Sequence, residues 1–366
     1  MSRGVARGTW RTVRSGASRK WRVVGAGMVG VGLLASGCAD PAGGAGAAGS
    51  AGGGTATLTY LNTLPIETLT YAPELVADTK GFFAAQHVKV DFQFVNGTPP
   101  AIAAVMSGRG QLTRAGDADI IKSIVTKGAK ITNVGTVQKG GATIRIVSDT
   151  RSAVRKPADL RGKTIGESAL GGTTEGLLTL LLSSAGMKLS DLHQQVVPLS
   201  AGTFSLVQKG RLDGFMPSLD TATALKAAHK DAVTFDLSKY IAAGSQAYIT
   251  SPAQAGDPKT RDAIHRYLRA IKSAIQFIVA DQKDGYAKTM KAIGTKYHVP
   301  AFDQPEVAKA SLDGYVASWT YGGADGAVQT DHKRWKAVYG EMVKAGMVPG
   351  GKDPEQWVDD RMSPAS

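Results

Sequence analysis

Gly166-Glu167-Ser168-Ala169-Leu170 follows a strand-like run and differs by one residue from the G-x-S-x-G turn that lifts a nucleophilic serine above a sheet. Leu170 stands where the second glycine belongs, and such a serine also needs a base within hydrogen-bond reach. The six histidines, His87, His193, His229, His265, His298 and His332, are scattered, and none falls in a loop expected at a ligand site. No H-E-x-x-H helix, no Walker A loop and no clustered metal-ligand spacing occurs. Catalysis, a bound metal and a cofactor are therefore all unexpected, with a secreted hydrolase using Ser168 as the alternative enzyme reading.

The one cysteine, Cys38, can form no internal disulfide and no multi-cysteine metal site. Upstream of it stand seven basic residues (Arg3, Arg7, Arg11, Arg14, Arg19, Lys20 and Arg22) and no acid, followed by an apolar or small run from Val23 to Gly37. A basic region, an apolar stretch too short to span a bilayer comfortably, and small residues at the end together describe an export signal over residues 1–37. Leu34-Ala35-Ser36-Gly37 before Cys38 resembles the lipobox of bacterial lipoproteins, which implies cleavage before the cysteine and lipidation of its sulfur. Residues 38–54 then combine the acylated cysteine with an almost pure Gly, Ala and Ser stretch, which has nothing to bury and reads as a flexible leash.

Loss of the leader's seven basic residues from a formal net charge of +13 leaves +6. That excess is spread thinly, with no basic run and no interleaved aromatics, so nucleic acid is not an expected partner. About 310 residues remain for the body, enough for about two domains. These alternate strand-like stretches (Ala56–Leu61, Val88–Val95, Leu112–Ala115, Lys163–Gly166, Val196–Leu199 and Gly214–Met216) with helical ones (Pro73–Phe83, Pro99–Ser107, Ala118–Lys127, Thr174–Ala185 and Thr203–Lys209). Strands separated by helices imply parallel sheets with right-handed crossovers. Ser107-Gly108-Arg109, a short strand and a helix opening at Gly116-Asp117 are echoed by Lys209-Gly210-Arg211, a short strand and a helix opening at Ser218-Leu219-Asp220. Both halves are thus expected to share one plan.

The string TYAPELVADTKGFFAAQHVKVDFQFVNGTPPAIAAVMSGRGQLTRAG resembles the opening of the solute-binding proteins of ABC importers in the nitrate, sulfonate, taurine and thiamine-precursor group. SAVRKPADLRGKTIGESALGGTTEGLLTLLLSSAGMKLSDL resembles the entry to their second lobe, and GRLDGFMPS a later stretch of it. Arg114-Ala115-Gly116-Asp117 departs from the pattern by placing an acid where many members carry small or apolar residues. The resemblance implies a two-lobed α/β periplasmic-binding-protein fold of type II. Residues 55–143 and 250–366 would form lobe 1, and residues 144–249 lobe 2. It also implies a monomeric receptor, lipid-anchored at the outer face of the cytoplasmic membrane, that hands a small molecule to permease subunits. A sensor or scaffold lipoprotein is the remaining alternative.

In open parallel sheets a ligand sits beyond the carboxyl ends of the strands, against helix N-termini whose amides are unpaired. The residues so placed are Asn62, Thr63, Tyr71, Gly97, Thr98, Gly116, Asp117, Gln138, Ser168, Gly172, Thr173, Thr174, Pro217 and Asp220. Crossings between lobes are expected at Ala142–Val147 and Gln246–Ser251, acting as hinges. Gly171-Gly172-Thr173-Thr174 reads either as a ligand cradle or as a turn with a hydroxyl cap, and Asp117 and Asp220 read either as ligand acceptors or as helix caps. Trp319 and Tyr321, in the unusual string SWTYGG, read as core or lobe-edge aromatics. The expected cleft loops carry Glu67, Asp117, Asp119, Glu167 and Asp220 against the single base Lys139, which favours a neutral or nitrogen-rich heterocycle or amine over sulfonate or nitrate.

Overall fold

The computed structural model describes residues 54–140, 143–168 and 170–364. The expected leader, Cys38 and the Gly/Ala/Ser segment through residue 53 lie outside the described residues. The first half runs β1 (Ala56–Asn62), α1 (Ala72–Thr79), α2 (Phe82–Ala85), β2 (Val88–Phe94), α3 (Thr98–Met106), β3 (Leu112–Gly116), α4 (Asp117–Lys127) and β4 (Thr132–Gln138). The second runs β5 (Arg145–Asp149), β6 (Thr164–Glu167), α5 (Thr173–Ser184), β7 (His193–Val196), α6 (Phe204–Gln208), β8 (Gly214–Phe215), α7 (Leu219–Ala228) and β9 (Ala232–Asp236). Then follow β10 (Gln246–Thr250), α8 (Pro252–Gly256), α9 (Pro258–Asp281), α10 (Ala287–Gly294), α11 (Pro305–Trp319) and α12 (His332–Lys344).

The strands form two sheets in the orders β2-β1-β3-β10-β4 and β7-β6-β8-β5-β9. In each, the first three strands are parallel and the fourth runs antiparallel to both neighbours. That fourth strand is the one arriving from the other sheet, since β5 follows β4 and β10 follows β9. The echo in the sequence is thus an equivalence of topology, with β1 matching β6 and β3–α4 matching β8–α7.

The crossings fall at residues 139–144 and 237–245, not at 142–147 and 246–251. Arg145–Asp149 is laddered along its whole length to β9, and Gln246–Thr250 is paired on both sides, so neither run is a free connection. β10 also returns the chain to the first sheet at Gln246, ahead of the expected boundary at 249/250. β7 ends at Val196, where a strand over Val196–Leu199 was expected, because Pro198 has no N–H to extend the ladder.

α9 shows why this chain packs as it does. Asp257 accepts from Thr260 N at 2.8 Å as its N-cap, Pro258 takes the first turn, and Ile264, Leu268, Ile271, Ile275 and Ile278 recur every three or four residues, fully buried. Each such side chain contributes about 1.5–3 kcal/mol when removed from water. This stripe joins Tyr60, Tyr71, Tyr248 and Phe83 in the core of the first lobe. The C-terminal helices reach both lobes: Leu312, Tyr315 and Trp319 of α11 share a core with Leu219 of α7. Trp335, Val338 and Met342 of α12 likewise pack with Ile120 and Ile121 of α4 and with Leu177 and Leu181 of α5. Among the described residues no helix is long and apolar enough to cross a membrane.

Candidate functional site

Arg114 is a charge inside the buried strand β3, 3 % exposed, and its surroundings explain how the fold tolerates it. Its Nη2 donates to Thr70 O and Thr70 Oγ1, both at 2.9 Å, and its Nη1 faces Glu74 Oε1 at 3.4 Å. The guanidinium also lies 4.4 Å from the centre of the Tyr71 ring. Tyr248 Oη donates to the same Glu74 oxygen at 2.8 Å. Burial pushes the Glu74 carboxyl up, with Arg114 and Tyr248 working against that rise.

From Thr70 the network runs toward the crossings. Gln138 Nε2 donates to Thr70 Oγ1 at 3.0 Å, Thr143 Oγ1 donates to Gln138 Oε1 at 3.3 Å, and Leu219 N at the head of α7 donates to Thr143 O at 2.7 Å. Tyr315 Oη of α11 donates to Asp220 Oδ1 of α7 at 3.2 Å. Tyr71, Gln138 and Asp220, from separate parts of the chain, therefore belong to one polar floor shared by both lobes. Tyr71 Oη also accepts from Thr63 N at 3.2 Å, which ties Thr63 and its neighbour Asn62 to that floor.

Gly116, Asp117 and Thr173 meet at a second place, where the lobes touch. With Asp119, Thr143 and Ser245 they line a cavity of about 20 Å3, room for roughly one water. Thr173 Oγ1 donates to Asp119 Oδ2 at 2.6 Å, a bond from the start of α5 to the start of α4. Burial pushes the Asp119 carboxyl up against this bond. Asp117 caps no helix in the manner weighed above. Its Oδ1 accepts from Ala118 N at 2.7 Å and Gly244 N at 3.1 Å, and its Oδ2 from Ser245 N at 3.0 Å. Burial pushes its pKa up to about 6, against those three amides and Arg334.

The remaining expected site residues lie apart from these groups. Gly97 and Thr98 open α3, and no hydrogen bond among the described residues ties the Thr98 side chain to the floor. Gly172 is the N-cap residue of α5 without a side-chain cap, Thr174 is buried behind it, and Pro217 O accepts from Arg145 N at 3.0 Å. Asp220 sits one residue inside α7 and likewise provides no cap. Ser168 is exposed, and no histidine hydrogen-bonds it among the described residues. His332 instead pairs with Glu355 and Asp360, and His265 with Met362 O.

The charges read differently in three dimensions. Sequence reasoning missed Thr70, Glu74, Arg114, Thr143 and Tyr315, although an arginine inside the apolar run Leu112–Gly116 is a visible signal. Lys139 donates to Gly326 O, Arg145 pairs with Asp236 at 3.4 Å, and Arg114 is held by Glu74, so the nearby cations are engaged within the protein. Three buried acceptor oxygens here are not, Glu74 Oε2 of the floor among them. Among the described residues Asn62 Oδ1 and Glu167 Oε2, on residues 3 % and 0 % exposed, have no hydrogen-bond partner, and they end the equivalent strands β1 and β6. Burial pushes the Glu167 carboxyl up, against a 2.7 Å bond from Gln194 Nε2. No group of three His, Cys, Asp or Glu side chains among the described residues is placed to hold a metal.

A protein from Bordetella bronchiseptica RB50 superimposes with a TM-score of 0.64 at 20 % identity, covering 84 % of this chain and 95 % of its own. The alkanesulfonate-binding protein SsuA from Xanthomonas axonopodis pv. citri, solved with MOPS, gives 0.60 at 17 % identity, over 84 % and 99 % of the two chains. The desulfurization enzyme DszB shares the fold at a TM-score of 0.52 and 17 % identity, over 84 % and 97 %. A search of curated proteins finds no match. The family model described as NMT1/THI5 like matches residues 69–284. That span takes in every strand but β1 and runs from the polar floor into the C-terminal helices, and the chain belongs to the NMT1/THI5-like family with the two-lobed periplasmic-binding-protein fold.

Proposed function

We propose that this protein is the extracytoplasmic solute-binding lipoprotein of an ABC importer and carries no catalytic machinery. It captures a small neutral or nitrogen-bearing molecule, a heterocycle or an amine, between its lobes and delivers it to membrane permease subunits. The observation that carries this reading is the pair of unpartnered acceptors, Asn62 Oδ1 and Glu167 Oε2, at matching strand ends of the two lobes. A buried acceptor without a donor costs about 1–3 kcal/mol, which a ligand N–H removes. Gln138 Oε1 and Asp220 Oδ1, by contrast, already accept from Thr143 and Tyr315. The cavity at the lobe contact holds about 20 Å3, so a solute enters only when the lobes part.

Anchoring through Cys38 at the outer face of the membrane rests on the sequence before the described residues, and action as a monomer on the completeness of the floor within one chain. The fold also carries a desulfurization enzyme, so the hydrolase reading deserves its own control. Among the described residues no base pairs with Ser168, which argues against it. Uptake of labelled aminopyrimidine, taurine and nitrate by a deletion strain, with and without the restored gene, tests the importer reading. Restored uptake of the heterocycle supports it. Unchanged uptake of every solute counts against it, and hydrolysis abolished by Ser168→Ala would replace it.

A further inference from the structure

Both crossings between the lobes are gripped by the C-terminal helices. At the first, Lys139 N and Gly140 N both donate to Ser318 O of α11, at 3.0 and 3.3 Å, and Lys139 Nζ donates to Gly326 O. The Tyr321 side chain lies so close to Gly140 that a Cβ there would stand 2.4 Å from its ring, so any side chain at the position would displace Tyr321. At the second, Glu341 of α12 accepts from Ala242 N at 2.8 Å and, through its other oxygen, from Ala242 N at 3.0 Å and Ala243 N at 3.4 Å. Arg334 Nε donates to Ser245 Oγ at 3.1 Å, and Ser245 Oγ donates to Lys139 O at 3.1 Å, joining the two crossings. Gly244 between these contacts has φ +111°, a conformation that side-chain-bearing residues rarely adopt.

We propose that α11 and α12 form a brace that sets the opening equilibrium of the lobes, with Glu341 as the catch on the second crossing and Tyr321 as the wedge on the first. A hinge moves by changing φ and ψ in a few connecting residues. Here those residues have their amides held by groups from outside either sheet. Opening has to break or carry along these bonds, so the brace adds its energy to the closed arrangement. Removing the catch shifts the population toward open forms, and a solute receptor whose competent state is less populated binds with proportionally weaker apparent affinity. The proposal rests on the receptor reading for that consequence alone.

The test needs no solute. The full chain carries Cys38→Ser, Arg109→Cys on the first lobe and Lys209→Cys on the second, with spin labels on the two new thiols, and the distance distribution between labels is measured by pulsed electron resonance. Amide exchange at residues 242–243 is followed in parallel. Glu341→Ala should accelerate that exchange on the order of ten- to hundredfold, as loss of a charged acceptor implies, and should add a population at longer label distance. Glu341→Gln, which keeps one acceptor oxygen, should fall between. Tyr321→Ala, at a side chain 51 % exposed and thus tolerant of change, should add the same population from the other crossing. Faster exchange with an unchanged distance distribution in both Glu341→Ala and Tyr321→Ala would overturn the brace. That outcome leaves the receptor reading intact, just as failed uptake would leave the distances intact.

Discussion

Replacing Arg114 with methionine tests whether the buried pair with Glu74 organises the polar floor. The change keeps much of the side chain's volume but leaves Glu74, fully buried, without its cation, and removes the two hydrogen bonds from Nη2 to Thr70. Removing one partner of a buried ion pair costs about 3–5 kcal/mol, because the other charge remains in a low-dielectric site. For the 308 described residues an unfolding entropy of roughly 2.1 cal/mol/K per residue gives about 0.65 kcal/mol/K, so a loss of 4 kcal/mol lowers Tm by about 6 °C. Urea unfolding at neutral pH should report the loss, and Glu74→Gln alone should cost a comparable amount. The double variant should cost clearly less than the two single costs together, since it buries no unpaired charge. Additive costs, or less than about 1 kcal/mol for Arg114→Met, would show that the pair does not hold the floor.

Stability should fall as pH rises from about 4 to 6. Asp117 binds its proton more tightly folded, with a pKa of about 6 against 3.8 for an ordinary aspartate, so its contribution is full below the lower value and lost through the higher, on the order of 3 kcal/mol. Glu74, Asp119 and Glu167, all pushed up by burial, act in the same direction. His332 does too, as its bonds to Glu355 and Asp360 outweigh burial and raise its pKa. Chemical unfolding across this window should show the slope, flattened in Asp117→Asn, and stability constant from pH 4 to 6 would refute the assignment. Thr173→Val removes the donor to Asp119 between the lobes and should increase the radius of gyration in solution scattering, whereas an unchanged curve would mean that this bond does not hold the lobes together. Cys38→Ala should leave an unprocessed precursor or release the protein from membranes, because stable attachment needs lipid chains, and processed, membrane-bound mutant protein would refute the anchor.

The alternation of strands and helices was legible because buried parallel strands and amphipathic helices such as α4 and α5 carry their periods locally. Strand direction was not. Nothing within Arg145–Asp149 or Gln246–Thr250 marks them as antiparallel, since that depends on which sheet the chain has just left. Asp117 illustrates the limit at the site. An acid at a helix start looks the same whether it caps the helix, meets a ligand or holds a hinge, and its partners Gly244 and Ser245 lie 127 and 128 residues away. Counting loop acids against one lysine likewise overlooked that Arg114 and Arg145 approach the same region and that Asp117 and Asp119 are already occupied by protein donors. What survives of the charge argument is the pair of strand-end acceptors, Asn62 Oδ1 and Glu167 Oε2, which no donor among the described residues fills.

Calorimetric titration of the full chain with an aminopyrimidine, taurine, an alkanesulfonate and nitrate, repeated with Asn62→Leu and Glu167→Leu, tests the receptor account most directly. The account expects micromolar binding of the nitrogen heterocycle, weakened at least tenfold, about 1.4 kcal/mol, by either substitution, because each removes an acceptor from a different lobe. Tight binding of the sulfonate or nitrate instead, or heterocycle binding indifferent to both substitutions, would contradict it.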